Sequence, residues 1–381
     1  MLADANEPTA RSSVVHVIST GGLYGAERAM LEIAQHARDR ARHVHVLATD
    51  GRGIPSLREA CAAAALPFTA LERADGALAI RSALRRALQT LRPAIVHSHN
   101  YKPDILLATI GRASPNERRV STCHNWLRDT LRVRLWEHLD LRVLRRFDRV
   151  VAVSMDVRAT LLDGGVPAQR VELIRNGLDF PQASAGDRAT FRRAIEMDPA
   201  LPLLVQIGRL DELKGIDTLL RALALIAPAE RPQLALAGDG PSRSRLESLR
   251  DQLGLSANVR FLGYRTDISR LLAGADAMVL ASHREGSPMV VLEAMACRCP
   301  MILTSVGEIP GMFANACAAW LVPPRDAAAL ARGIAAALRD RTESARRASE
   351  AYALYVANYS RSAMGDRYES LYDALTAGAP I

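Results

Sequence analysis

Ser282-His283-Arg284-Glu285-Gly286-Ser287-Pro288-Met289-Val290-Val291-Leu292-Glu293-Ala294-Met295 joins a polar loop to an apolar helical pattern. The run Asp276–Ala281 ends just before it, as a buried strand would. Pro288 suits the first helical position, where its missing N–H is not needed, and places Ser287 at the N-cap. A helix start of this kind aims free N–H groups and the positive end of its dipole at the loop. Gly286, Ser287, Pro288, Met289 and Val290 therefore read as a seat for an anion such as a phosphate. Glu285 precedes the seat and can reach a neutral polar group beside it. Glu293 lies inside a mostly apolar helix, where an unpaired carboxylate would be costly. Taken alone, the pair also suits a surface glutamate followed by a salt-bridged one.

The 381-residue chain is 49% hydrophobic, enough to bury large cores, and its length favours two domains over one. Residues 1–10 lack the basic start and apolar run of a signal peptide, and no later apolar run nears the ~20 residues of a spanning helix. The cytoplasm is the expected location. The five cysteines form no paired Cys-x-x-Cys framework, so neither a zinc site nor a disulfide scaffold is expected. Aromatic residues make up only 4% and no nucleic-acid module is present, which argues against a nucleic-acid partner.

The basic excess is N-terminal: residues 1–180 hold 26 Lys and Arg against 19 Asp and Glu, and the remainder 23 against 22. Such an excess suits an anionic substrate or the anionic inner face of the cytoplasmic membrane. Lys102 and Lys214 are the only lysines. In a chain that otherwise uses arginine, each hints at a need for a compact point charge.

In chain order, a first strand at Val14–Ser19 leads through Gly21, Gly22 and Gly25 to a helix near Ala26. Glycines there permit close backbone approach to a ligand or form a tight turn, and the spacing is not the dinucleotide fingerprint. Strand-like runs follow at His43–Thr49, Ala94–His99, Val120–His124 and Val150–Ser154. Strands alternating with helices predict a parallel sheet covered on both faces, with ligands gathered at the strands' C-terminal ends. His99, Asn100 and Lys102 leave one such end, and His124, Asn125 and Trp126 another. Between Leu127 and Arg149, Leu135, Leu139, Val143 and Phe147 recur at four-residue spacing. That helical face is expected either to pack on its own domain or to lie on an anionic membrane.

Residues 180–186 have linker composition. Beyond them, Pro202–Ile207 runs into Gly208-Arg209-Leu210-Asp211-Glu212-Leu213-Lys214-Gly215, in which Arg209 and Lys214 suit a diphosphate clamp. Strand-then-glycine patterns recur at Leu234–Gly238 and Val259–Gly263, the latter followed by Tyr264. Further strands are expected at Met301–Thr304 and Trp320–Pro324, and one helical stretch over Tyr352–Leu375.

The glutamate pair seven residues apart, the Gly-Arg-x-x-x-x-Lys loop, the first glycine loop ending in Gly-Ala-Glu-Arg and the Asn176-Gly177-Leu178-Asp179 ending resemble the retaining glycosyltransferases of family 4 (glycosyltransferase group 1). The resemblance runs from near residue 14 to near residue 375. It implies the α/β GT-B fold, two Rossmann-like domains whose parallel sheets face an interdomain cleft. The implied parts are an acceptor-side domain 1–180, a nucleotide-sugar-binding domain 181–358, and a C-terminal helix 359–381 crossing back to the first. It implies that Glu285 contacts the transferred sugar and Glu293 the ribose hydroxyls. Gly263 and Tyr264 would lie beside the base, and Gly21, Gly22 and Gly208 on the donor side. His124 would sit near the reacting centre, with His99, Asn100 and Lys102 on the acceptor side.

Breaking a sugar–phosphate bond leaves negative charge on the diphosphate, and without a metal that charge needs fixed donors. The catalytic set is therefore His124, Glu285, Arg209 and Lys214, with no cofactor, no metal and no Asp-x-Asp pair to hold one. The expected partners are a nucleotide sugar, UDP- or GDP-linked, and a glycan or lipid-linked acceptor in surface or exopolysaccharide synthesis. Two alternatives share the architecture: a nucleotide-sugar epimerase and a non-catalytic sensor or scaffold. The Gly-Arg-x-x-x-x-Lys loop and glutamate spacing argue against the first, and retention of His124, Arg209, Lys214 and Glu285 against the second.

Overall fold

The computed structural model describes residues 11–71, 76–124, 131–183, 188–314 and 316–377. Its contacts divide the chain into two compact units, one running through Leu178 and resuming at Arg361, the other Asp179–Ser360.

The first unit is built on seven parallel strands: β1 (Arg11–Ile18), β2 (Arg42–Ala48), β3 (Phe68–Ala70), β4 (Ile95–His99), β5 (Arg118–Cys123), β6 (Arg149–Ala152) and β7 (Val171–Leu173). Their order is β3-β2-β1-β4-β5-β6-β7. Ile18 therefore registers with Ala48 on one side and His99 on the other. The order reverses at β1 and β4, where loops leave the sheet in opposite directions and open a crevice. Both faces are apolar because both are covered. Val15, Val17 and Val96 pack in one cluster, and Val14, Ile95 and Val120 in another.

That second cluster takes five of its eleven members from the helix Arg361–Thr376, whose Met364, Tyr368, Leu371, Tyr372 and Leu375 are all buried. Arg42, with no exposed side-chain surface, anchors the same helix through Glu369 at 2.8 Å and through Asp373. The helical stretch expected over Tyr352–Leu375 is not continuous. The helix Arg341–Leu354 widens into a π-turn, Tyr355–Tyr359, and Ser360 is extended, with its hydroxyl donating to the Val356 carbonyl. A serine hydroxyl that bonds back to a carbonyl competes with the helical ladder, and the chain changes units there.

The second unit holds β8 (Leu203–Ile207), β9 (Gln233–Ala237), β10 (Val259–Gly263), β11 (Ala277–Leu280), β12 (Met301–Thr304) and β13 (Trp320–Val322), ordered β10-β9-β8-β11-β12-β13 and all parallel. Its switch point lies between β8 and β11. Both units thus have the Rossmann-like form expected of the GT-B class.

A further expectation, the cap at Ser287, is corrected, and two strands went unread. The two edge strands β3 and β7, three residues each, are too short to leave a period-two pattern. The helix after Ser287 begins at Met289, with Pro288 in the cap position at ψ 108°, so Ser287 is not the cap. A proline extended at that ψ cannot belong to the first turn. In the helix Leu131–Leu144, the spacing of Leu135 and Leu139 marks the outer face: Leu135 is 71% exposed, Leu139 39% and Trp136 36%. The inner face carries Glu137, Asp140 and Leu144 instead. Asn125, Trp126 and residues 184–186 of the linker lie outside the described residues.

Candidate functional site

In the second unit, the loops leaving β8 and β11 meet at the switch point. Lys214 ends a short turn, Glu212–Lys214, whose start is capped by Asp211 accepting from the Leu213 amide at 3.0 Å. Gly215 follows at φ +59°, and a Cβ there would sit 2.1 Å from the Ala281 carbonyl oxygen. Only glycine lets the two loops close in this way. The His283 amide donates to the Leu213 carbonyl at 2.7 Å and completes the join.

The join brings Lys214 Nζ to 2.7 Å from Glu285 Oε1, with Ser282 Oγ donating to the same oxygen at 2.6 Å. Thr304, at the end of β12, holds the Ser282 carbonyl at 2.6 Å, and Gly307 at φ +55° packs against the Glu285 carbonyl. The Glu285 side chain is only 8% exposed and that of Lys214 24%, so water screens this pair weakly. Among the described residues, both donors to Glu285 reach Oε1 and none reaches Oε2. The amides at the start of the helix Met289–Ala296 lie just beyond, and Glu293 is buried within it at 3% exposure. Burial first, and the Glu293 carboxylate second, push the Cys297 thiol up to about 12.

Arg209 stands apart from the pair. Its side chain is 69% exposed and only 3.9 Å from Asp211. The turn that carries it is nonetheless fixed: Gly208 N donates to Ala237 at 2.9 Å, Leu210 N to Asp239, and Gly238 N to Gly263 at 2.8 Å. The loops after β8, β9 and β10 are therefore stitched edge to edge. Gly263 is half-buried in this seam, and Tyr264 beyond it projects with 82% of its surface exposed.

In the first unit, Gly21 and Gly22 follow β1. The Thr20 hydroxyl donates to the Gly22 carbonyl at 3.0 Å, and a Cβ on Gly53 would come 2.3 Å from the Gly22 nitrogen. Asn100 turns β4 into the helix Tyr101–Ala108 at φ +74°, a conformation asparagine tolerates better than most residues. Lys102 is exposed and pairs with Asp50 at 3.0 Å.

His99 ends β4 and is fully buried, flanked by two further imidazoles. Its Nε2 is 3.0 Å from His16 Nδ1, and its Nδ1 is 3.4 Å from His124 Nε2. His97, two residues earlier, is boxed by hydroxyls, with Tyr372 at Nδ1 and Thr122 at Nε2, both 2.7 Å away. Burial lowers His16 to about 3 and His124 to about 4, and holds His97 and His99 well below the ordinary value, with neighbouring imidazoles adding to the effect. All four are neutral at pH 7. Ligand atoms of His16, His97 and His99 lie within 4.8 Å of one another, close enough to share a cation. His97 and His99 already have both nitrogens engaged, so a cation would displace existing hydrogen bonds.

Beneath this stack, Asp104 accepts from Ser121 at 2.9 Å and from Ser98, and is pushed well above the carboxylate range by burial and by the neighbouring Asp140 carboxyl.

The structure thus gathers Lys214, Glu285 and the start of the Met289 helix at one switch point, and His99 and His124 at the other. It leaves Arg209, Tyr264 and Lys102 as exposed side chains around them. Sequence reasoning gave no role to His16, Ser282 or Thr304. The signal for His16 was weak: a histidine inside Val-Val-His-Val-Ile, in a strand covered on both faces.

Residues 187–353 match the family described as glycosyl transferases group 1, and residues 24–180 match glycosyltransferase family 4. Over 192 residues the chain is 32% identical to a D-inositol 3-phosphate glycosyltransferase of Mycobacterium sp. (strain KMS), covering 48% of this chain and 43% of that protein. It is 27% identical over 270 residues to the N-acetyl-alpha-D-glucosaminyl L-malate synthase of Bacillus anthracis, covering 69% of this chain and 70% of that one. The first of these matches spans less than half of the relative's length. Among solved structures, Anabaena HepE in complex with UDP superposes with a TM-score of 0.83 at 22% identity, over 95% of this chain and 100% of that one. Its complex with UDP-glucose gives 0.81 at 23%, over 95% and 99%. With matches to both halves and a fold shared along the chain, this protein belongs to the group 1 glycosyl transferases, glycosyltransferase family 4.

Proposed function

We propose that this protein transfers a hexosyl group, with retention and without a metal, from a UDP- or GDP-linked sugar to a glycan or lipid-linked acceptor in surface or exopolysaccharide synthesis. The observation that carries the reading is the Lys214–Glu285–Ser282 constellation, joined across β8 and β11 beside a helix start. Lys214 and the helix amides supply positive potential for a departing diphosphate, whose charge grows in the transition state. Glu285, with one oxygen bonded to Lys214 and Ser282, has the other oxygen for a sugar hydroxyl. Arg209, exposed on a fixed turn, closes on the phosphates as a second cation. Glu293 takes the ribose hydroxyls, and Tyr264 flanks the base. The complexes of HepE with UDP and UDP-glucose support a nucleotide-sugar donor.

The test is nucleotide release from a panel of UDP- and GDP-sugars with EDTA present. Turnover of one donor supports metal-independent transfer. Binding without turnover favours a sensor, and isomerisation of the sugar without release favours an epimerase.

The outer face of the helix Leu131–Leu144 supports a membrane-surface partner. Exposed Leu135, Trp136 and Leu139 lie on the same helix as exposed Arg142, a combination suited to the headgroup boundary of anionic lipid. No helix among the described residues is long and apolar enough to cross a membrane. Flotation with anionic vesicles tests the contact, and a protein that stays at the bottom of the gradient refutes it.

A further inference from the structure

We propose that Ser282 and Thr304 are positioning residues for Glu285, holding its carboxylate so that Oε2 is presented to a single hydroxyl of the transferred sugar. The inference rests on the reading of Glu285 as the sugar contact. Both donors to the carboxylate converge on Oε1, Lys214 Nζ at 2.7 Å and Ser282 Oγ at 2.6 Å. Oε2 is left open. It receives no donor among the described residues, yet it is not sealed: the buried polar side-chain atoms that lack a partner there belong to His16, His124, Asp140 and Gln206. The exposed edge of this nearly covered side chain is thus an acceptor with free lone pairs.

The two donors differ in kind. Lys214 ends a flexible stem, so it balances charge without fixing direction. It is also the group that a departing diphosphate draws away. Ser282 is fully buried and its side chain is short, so its hydroxyl goes where its backbone puts it. Thr304 holds that backbone. Leu280, the last residue of β11, registers with Leu303, which places Thr304 just past the end of β11. The Thr304 hydroxyl has one proton and two carbonyls in reach, Ser282 at 2.6 Å and Leu280 at 3.3 Å, and the shorter contact takes it. Thr304 is itself buried, so water does not compete for the bond. From the other side, the Glu308 amide donates to the Gly286 carbonyl at 3.2 Å, and Gly307 packs on the Glu285 carbonyl. The main chain is fixed on both sides of Glu285, and Ser282 passes that rigidity to the carboxylate.

Glu285 therefore keeps its orientation when Lys214 turns to phosphate. A fixed acceptor is satisfied only by a sugar whose stereochemistry puts a hydroxyl against it. An epimer that lacks that hydroxyl leaves the acceptor unpaired, which is how a polar site separates close analogues.

The experiment pairs crystal structures of ligand-free variants with kinetics on donors that differ at one hydroxyl, UDP-glucose against UDP-galactose and GDP-glucose against GDP-mannose. In Ser282→Ala and Thr304→Val the Glu285 carboxylate should turn from its wild-type pose, and Thr304→Ser should restore it. With a turned-over donor, kcat should fall about tenfold in Ser282→Ala and about three- to tenfold in Thr304→Val, with Thr304→Ser close to wild type. The preference between epimers should fall with kcat, while affinity for the free nucleoside diphosphate holds. Loss of Tm and nucleotide affinity in step with turnover would mark a structural role only and overturn the proposal, as would an unmoved Glu285 in both variant structures. If the wild type releases nucleotide from no donor, the functional reading fails, while the pose of Glu285 in the variants still decides the positioning.

Discussion

Lys214 makes two contributions, one to a resting ion pair and one to a substrate charge. Paired with Glu285 at 2.7 Å, it balances a carboxylate that is 92% covered, and a lone carboxylate in that place would be costly. Charged hydrogen bonds are worth about 1.5–3 kcal/mol, so Lys214→Ala or Glu285→Ala should cut kcat/KM by about ten- to a hundredfold or more. Steady-state nucleotide release checks this, and wild-type rates in both variants would remove the pair from the mechanism. Lys214 was legible in the sequence because it survives in a chain that otherwise uses arginine and sits inside a recognisable loop. Lys102 shared the first property but not the second, and it is an exposed partner of Asp50. His16 was hidden because alternation along a strand covered on both sides assigns a residue to a face without saying what waits there.

The buried histidines also set a pH dependence. His16, His97 and His99 are held neutral in the fold, whereas in the unfolded chain they titrate near 6.5. Between that value and their depressed folded values, the unfolded state binds more protons. Their stabilisation is complete above about pH 6.5 and is lost as pH falls, by about 1.4 kcal/mol per pH unit for each group. Asp104 has the opposite sign, because its raised folded value keeps a proton that the unfolded chain has released, and it opposes the histidines in part. Net destabilisation between pH 6.5 and 5 is therefore expected in denaturant titrations, and a flat profile would contradict the neutral stack.

At the scale of elements, the strand ends and glycine loops were readable because buried parallel strands are short apolar runs closed by glycine. What spacing could not carry was geometry. Leu135 and Leu139 advertise an apolar face, yet Glu137 and Asp140 are the residues turned inward. Four-residue spacing identifies one side of a helix, and only the neighbours decide which side is covered. The displaced cap at Pro288 and the π-turn before Ser360 have the same origin, a local choice made by packing. Gly215 shows how tightly the loops are joined. Gly215→Ala places a methyl against the Ala281 carbonyl in a left-handed conformation, which should lower stability by roughly 1–3 kcal/mol and weaken nucleotide affinity through Lys214. Thermal unfolding with and without UDP would show both effects, and an unchanged Tm would mean the loops can separate freely.

At the scale of the whole molecule, the chain's end belongs to its beginning. The helix Arg361–Thr376 buries five large apolar residues in the first unit, worth about 10 kcal/mol together, which rivals the full stability of a typical domain. A chain ending at Ser360 should therefore lose the first unit to proteolysis while residues 188–314 stay protected. Equal resistance of both units would show that the helix is dispensable. In both sheets the strand order reverses beside the loops that hold the candidate residues, between β1 and β4 and between β8 and β11. The measurement that tests the central claim most directly is release of UDP or GDP from a nucleotide-sugar panel by the purified protein in EDTA, beside Lys214→Ala. Release from one donor, lost in the variant, is the expected result. A folded wild-type protein that releases nucleotide from none of them, or a variant as active as wild type, would contradict it.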